Sequence, residues 1–257
     1  MTTWPAPAPG AAPLRRMVAA QAGLELRTLV RNGEQLLLTL IIPVLLLVVF
    51  SSEALISIGR GSRIGFLAPG ILALAVMSTS FTSLAIGTAF ERRYGVLKRL
   101  GATPLARPGL ILAKAVTVAA VEVGQVVIIV VVSAALGWRP VLSPLSVVSS
   151  LLVLAAGSAA FSGLAMLMAG TLRAEATLAA ANLIYLVLLG VGGVVFPLAK
   201  FPAAIRPVLR LLPSGAMSDG LRGVLRYGTG LPARDLLVLV VWAVAGIALA
   251  ARTFRWE

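Results

Sequence analysis

The sequence predicts an all-α membrane protein with six transmembrane helices. Three observations point there. The chain of 257 residues is 59% hydrophobic and only 12% charged, where an ordinary soluble domain carries about 25% charged residues. Too little polar material is present to cover a globule. The apolar residues gather into runs near the length of a membrane span, about 20 residues at about 1.5 Å of rise each. These runs do not alternate apolar with polar as barrel strands do, and an open sheet would leave unpaired backbone groups in lipid.

The elements follow in chain order. Residues 1–13, MTTWPAPAPGAAP, are rich in Pro and Ala and read as a disordered lead. They lack the basic stretch followed at once by an apolar core that marks a signal peptide. Residues 14–34 read as an amphipathic helix. Leu14, Val18, Ala22, Leu26 and Val30 recur every four residues, with Arg16, Arg27 and Arg31 on the other side of the wheel. Such a helix suits the membrane interface, its arginines among anionic lipid headgroups. A helix packed on a partner is the alternative. Residues 35–257 are expected to form one six-span domain, with spans near 36–52, 64–89, 111–136, 146–170, 177–198 and 235–251. The first is short and contains Pro43.

Six spans place both termini on one side of the membrane. That side then carries 13 of the 22 basic residues and the other side 9, six of them in the long 199–234 loop. Counted over short loops, the excess predicts cytoplasmic termini. The net charge of +13 is spent in such clusters between apolar runs and needs no nucleic-acid partner.

Composition also limits the chemistry. There is no Cys and no His, which removes disulfides, thiolate and imidazole catalysis and most zinc or haem sites. Clustered carboxylates for acid–base work are lacking too, so the chain does not read as an enzyme. A phosphate-cradling loop requires G-x-x-x-x-G-K-[ST]. The only lysines are Lys98, Lys114 and Lys200, and none follows a glycine.

The stretch FERRYGVLKRLGATPLARPGL, residues 90–110, packs four basic side chains and one acid into its first eleven positions. On a helical wheel Val96, Leu97 and Leu100 share a sector, Arg92 and Arg99 share another, and Glu91 lies near Lys98. Gly101 and Pro104 end the helix. Charge alone is satisfied by a cytoplasmic anchor. The order of residues carries more. Pro69-Gly70 precede it; Glu91, Gly95, Leu97 and Leu100 run through it; Thr103-Pro104-Leu105, Arg107 and Lys114 follow. After the fifth span come Gly192, Gly193, Phe196, Pro197, Phe201, Pro202 and Pro213, then Leu221-Arg222.

This ordered set resembles the ABC-2 family of transport permeases over roughly residues 30–250. The resemblance implies an exporter subunit in a bacterial inner membrane, working as a dimer of identical or related permeases. Catalysis would lie in separate ATP-binding cassette subunits that hold ATP and Mg, with no cofactor in this chain. It further implies that residues 90–104 form a coupling helix seated in a groove of the ATPase. Glu91, Arg92, Arg93, Gly95, Leu97, Lys98, Leu100, Thr103 and Pro104 are the candidate contacts. The apolar side chains would fill the groove, the basic ones would meet an acidic rim, and Glu91 would pair with Lys98 or with a partner's cation. Replacing Leu97 and Leu100 with Asp is then expected to spare insertion and uncouple the ATPase. The same resemblance makes residues 199–234 short extracytoplasmic helices that dip into the outer leaflet, with Phe196, Pro197, Pro202 and Pro213 at a gate. Within them, Met217, Leu221, Val224 and Leu225 oppose Arg222 and Arg226. A soluble lid is the alternative.

Inside the membrane, Glu122 is the single mid-span acid, with Gln125 three residues on and facing much the same way. Both are candidate translocation-path residues; an interhelical lock is the competing role. The hydroxyls Ser78, Thr79, Ser80, Thr82, Ser83 and Thr88, and Asn182, read as packing groups. Gly190, Gly192 and Gly193 suit a kink or a close crossing. Two other functions remain open on the residues alone: an ion-coupled transporter using Glu122, and a structural membrane subunit.

Overall fold

The computed structural model describes residues 10, 12–33, 37–52 and 62–254. Most of the expected N-terminal lead, together with Arg60 and Arg255, lies outside them. Among the described residues the chain is helical, with no strand. Helix α1 is Leu14–Arg31. Helix α2 covers 37–52, a π-helical opening at Leu37–Ile41 running into α-helix at Ile42–Ser52. Helix α3 is Arg63–Arg93, α4 is Val96–Gly101, α5 is Arg107–Ala135, α6 is Pro144–Thr171 and α7 is Ala174–Val191. After a 3-10 turn at Leu198–Lys200 come α8 at Arg206–Leu211, α9 at Pro213–Tyr227 and α10 at Ala233–Thr253.

Five of these, α3, α5, α6, α7 and α10, are long and apolar enough to cross a membrane. They match five of the six expected spans. The segment expected to be the first span is a shorter apolar helix, Thr39–Ser51. Pro43, which lacks an N–H and crowds the preceding turn, sits where the π-helical turn passes into α-helix.

Helix α3 is the axis of the bundle. Its most apolar 18-residue window is wholly buried, where those of the other four spans are 22% to 33% buried. Leu67, Ile71, Leu74, Met77 and Phe81 form the spine of the main core, with Phe161 of α6 against Phe81 at 6.2 Å between ring centroids. Exposed Val, Leu and Ile on α5, α6, α7 and α10 face outward, as lipid permits.

Small residues set the closest crossing. Gly163 of α6 and Gly246 of α10 abut so tightly that a Cβ on either would lie within 3.0 Å of the other helix's backbone, the close approach that glycine permits between membrane helices. The caps are legible in sequence. Ser143 and Ser146 form a reciprocal capping box at α6, and Pro144 and Pro213 sit in first turns, where a missing N–H does no harm.

Three boundaries differ from expectation. The fifth span was expected to reach 198, but α7 stops at Val191. Gly192 caps it, and Gly193 takes φ +70, which turns the chain away and puts Phe196 and Pro197 in a loop. The sequence suggests a short helix from Pro202 through Leu212, broken at Pro213-Ser214-Gly215; Pro202 instead leads into a turn, the short helix is Arg206–Leu211, and Pro213 opens α9. The helix expected through residues 90–100 is broken. Tyr94 ends α3, and Gly95 adopts the left-handed conformation, φ 69, before α4 begins.

Candidate functional site

Three clusters stand out along the bundle. The first is the corner where α3 ends and α4 begins. Because Gly95 resets the helical phase, a single wheel through residues 90–100 does not describe it. Glu91, Arg92 and Arg93 belong to the last turn of α3, and only Val96–Gly101 form the short helix. Leu97 is 3% exposed and packs with Val18 and Ala22 of α1, with Leu105, and with Leu110 and Ala113 of α5; Leu100 joins from the edge. The expectation that Leu97 fills a partner's groove therefore fails: its side chain faces inward and seats α4 on α1 and α5. The outward surface consists of Arg93, Tyr94, Lys98, Arg99, Thr103 and Pro104.

Beneath this corner lies a buried ion triad. The Lys114 Nζ of α5 is 2.7 Å from Glu91 Oε2 of α3 and 3.4 Å from Glu25 Oε1 of α1. Gln21 Nε2 donates to the same Glu25 oxygen at 2.9 Å. Glu91 thus pairs with Lys114, not with Lys98 or a cation from outside. Three helices are joined through one ammonium, whose three donors can serve several acceptors at once. Thr117 Oγ1 adds a 3.4 Å bond to the Ala22 carbonyl. Arg92 and Arg93 reach across the surface to the neighbouring turn: Arg92 donates to the Leu172 carbonyl and Arg93 pairs with Glu175. They bind the α3 end to the α6–α7 turn. The Arg93–Glu175 pair is exposed, so its worth is about 0–1 kcal/mol. Lys114 and Glu25 are the residues that reasoning from sequence missed as a unit, since they lie 89 positions apart.

The second cluster is in mid-bundle. Glu122 is 8% exposed. Ser158 Oγ of α6 donates to its Oε1 at 2.9 Å, and Ser80 of α3 is a second hydrogen-bonding neighbour. Among the described residues no cationic side chain forms a salt bridge with it. An unpaired carboxylate at this depth costs about 2.5–3.5 kcal/mol on insertion scales. Glu122 lies at the base of a groove of about 920 Å³ walled by α5, α6 and α10.

Gln125 turns elsewhere. Its Oε1 accepts from Thr79 Oγ1 at 3.0 Å and its Nε2 donates to the Thr39 carbonyl, locking α5 to α3 and α2. The expectation that Glu122 and Gln125 share one direction is corrected: three residues apart on a helix is about 60° of rotation, enough here to reach different neighbours. In the π-helical segment Ser78–Ser83 the Thr79 hydroxyl reaches Gln125, while Ser80 Oγ donates to the Val76 carbonyl at 2.6 Å. Ser78 Oγ meets Tyr185 Oη at 3.2 Å, so the hydroxyl run joins helices.

The third cluster lies at the opposite end of the bundle from α4. Arg222 of α9 was expected on a polar face; it is 4% exposed. Its Nη2 donates to the Val194 carbonyl at 2.7 Å, its Nε to the Phe66 carbonyl at 3.1 Å, and its guanidinium stacks 3.7 Å from the Phe66 ring centroid. Asp219 Oδ1 stands 3.7 Å from Nη1. Burial pulls the Arg222 guanidinium down to about 10, against the opposing effect of Asp219, and burial likewise raises the Asp219 carboxyl above its ordinary range.

Gly70 explains part of the Pro69-Gly70 motif. A Cβ there would sit 2.3 Å from the Val194 oxygen and 2.6 Å from Arg222 Nη2. A Cβ at Gly192 would meet Ser214 Oγ at 2.2 Å, whereas Gly190 has nothing within 4 Å and needs no such account. Of the four expected gate residues, Phe196 is 42% exposed, Pro202 is exposed, Pro197 is half-buried and Pro213 is buried.

A bundle of apolar helices around a buried axis, five of them long and apolar enough to cross a membrane, with polar locks at both ends, is that of a multi-pass membrane protein. The chain belongs to the ABC-2 type transporter family, whose model matches residues 22–225. No curated protein matches it. Family membership makes it a membrane component of transport rather than a catalyst, in a family whose permeases work with ATP-binding cassette ATPases.

Proposed function

We propose that the chain is the permease subunit of an ATP-driven exporter. Two permeases form the substrate path, and separate ATPase subunits, holding ATP and Mg, drive it. The proposed layout has six spans with α2 as the first, both termini cytoplasmic, residues 1–13 as a lead, residues 14–34 at the interface and residues 35–257 as the transmembrane domain in a bacterial inner membrane. Helix α4 docks on the ATPase through Lys98, Arg99, Thr103 and Pro104. Gly95 aims it. Leu97, Leu100 and the Glu91–Lys114–Glu25 triad hold it to the bundle, while Arg92 and Arg93 carry its movement to the α6–α7 turn. On the far side Phe196, Pro197, Pro202 and Pro213 shape the gate, and α9 dips into the outer leaflet. Glu122 lines the path; Gln125 locks helices beside it.

The observation that carries this reading is the corner itself. An exposed basic helix of six residues is seated through Leu97 on an apolar cluster, beside three helices joined by a buried ammonium shared between two carboxylates. A mere charge anchor needs no such support, whereas an element that transmits force does.

The test is co-purification with the cognate ATPase. A Lys98→Glu, Arg99→Glu double variant is expected to elute at the normal position with normal helicity and to bind the ATPase at least tenfold more weakly. Unchanged association and unchanged coupled ATP hydrolysis would sink the docking role.

A further inference from the structure

We infer that the groove between α5, α6 and α10 binds a lipophilic monocation, an amine or onium ion with an apolar body, which enters from the bilayer and sets its charge against Glu122. The inference deepens the reading of Glu122 as a path residue and rests on it.

The groove has the size of a small-molecule site: its volume of about 920 Å³ falls within the usual range of roughly 300–1,000 Å³. Its walls are almost wholly aliphatic, and its lips, among them Val123, Val127 and Leu151, are exposed on the outer face of the bundle. An apolar guest therefore reaches it through lipid without crossing water. The polar groups deep in the groove are Glu122, with the Ser158 hydroxyl that bonds it, and Ser162 on the same wall.

Charge complementarity chooses the guest. Glu122 is hydrogen-bonded but has no counter-charge among the described residues. The other charged side chain lining the groove, Arg107, stands at the end near α4, about 22 Å along α5 from Glu122 at about 1.5 Å per residue, too far to neutralise it. A guest cation would supply what the fold leaves out, in a medium where the pairing is strong. An anion would meet the carboxylate unscreened. A neutral guest would gain the apolar walls and leave the acid as it was. A divalent metal needs about six oxygen ligands, and one carboxylate with two hydroxyls falls short.

The measurement is equilibrium binding of radiolabelled tetraphenylphosphonium to the full-length chain in phosphatidylcholine nanodiscs, with tetraphenylborate as the anion of matching shape. Saturable binding of the cation, without saturable binding of the anion, is expected. Glu122→Gln, which keeps an acceptor for Ser158, is expected to weaken it at least tenfold. Ala155→Phe fills the groove from its lipid-facing wall, leaves Glu122 in place and is expected to weaken it as much; it decides the matter if Glu122→Gln does not fold. Equal binding of cation and anion, equal binding by wild type and both variants, or no saturable binding would overturn the proposal, the last meaning that lipid or a second copy of the chain fills the groove. No ATP or ATPase is present, so failure here leaves ATP-driven export to its own co-purification test. Loss of transport in Glu122→Gln with no cation binding in the wild type would keep the path and remove the ligand class.

Discussion

Arg222 is a charge inside an apolar interface, and its neighbours explain how it is tolerated. Two carbonyls, an aromatic face and a nearby carboxylate replace the water it lost, as a buried cation requires. The planar guanidinium matters, because it reaches two carbonyls and stacks at the same time. Arg222→Lys keeps the charge and loses that geometry. It is expected to lower stability by about 2 kcal/mol or more, the scale of a broken buried network. Gly70→Ala intrudes on the same point from α3 and is expected to cost a comparable amount. Thermal unfolding in detergent, followed by intrinsic tryptophan fluorescence, checks both; an unchanged midpoint for Gly70→Ala would contradict the close approach of Val194.

At the scale of elements, α4 shows how a six-residue helix becomes a fixed part of the fold. It is too short to be stable alone. Leu97 anchors it on one side and Lys114 steadies the helices beneath it. Leu97→Asp therefore places an unpaired carboxylate in an apolar cluster, a change that costs several kcal/mol. It is expected to loosen α1 and α4 from α5 and expose residues 90–106 to limited proteolysis, while Lys98→Glu leaves the cleavage pattern unchanged. Equal resistance of both variants would show that Leu97 does not seat the helix. This replaces the simpler expectation that Asp at Leu97 would spare the structure and disturb only a partner.

For the whole molecule, the arrangement is a buried central helix with shorter-range locks at each end: the Glu25–Lys114–Glu91 triad at one and the Arg222 cluster at the other. The proposed topology puts α4 and the α8–α9 region on opposite faces of the membrane. The chain has no native cysteine, so single-cysteine variants report this directly. In right-side-out vesicles, Thr229→Cys is expected to react with a membrane-impermeant maleimide and Lys98→Cys only after the vesicles are opened. Labelling of both from the same side would reject six spans with cytoplasmic termini.

The sequence by itself determined that this chain is helical and multi-pass. It also placed most helix ends within a few residues, because length, hydropathy and capping residues act locally along the chain. Its ordered Pro69-Gly70, Glu91, Gly95 and Thr103-Pro104 also sufficed to point to the family. The tertiary structure decided the direction of each decisive side chain. Gly95 breaks the helical phase, so a wheel drawn through it misplaced Leu97. Glu91 found Lys114, Gln125 turned to Thr39 and Thr79 while Glu122 stayed with Ser158, and Arg222 went inside. Periodicity tells which face of a helix is apolar; it does not tell which helix will stand against that face. Partners far apart in the chain meet only through the packing of whole helices, and it is that packing which gives a buried charge its counter-charge or leaves it, as at Glu122, with none among the described residues.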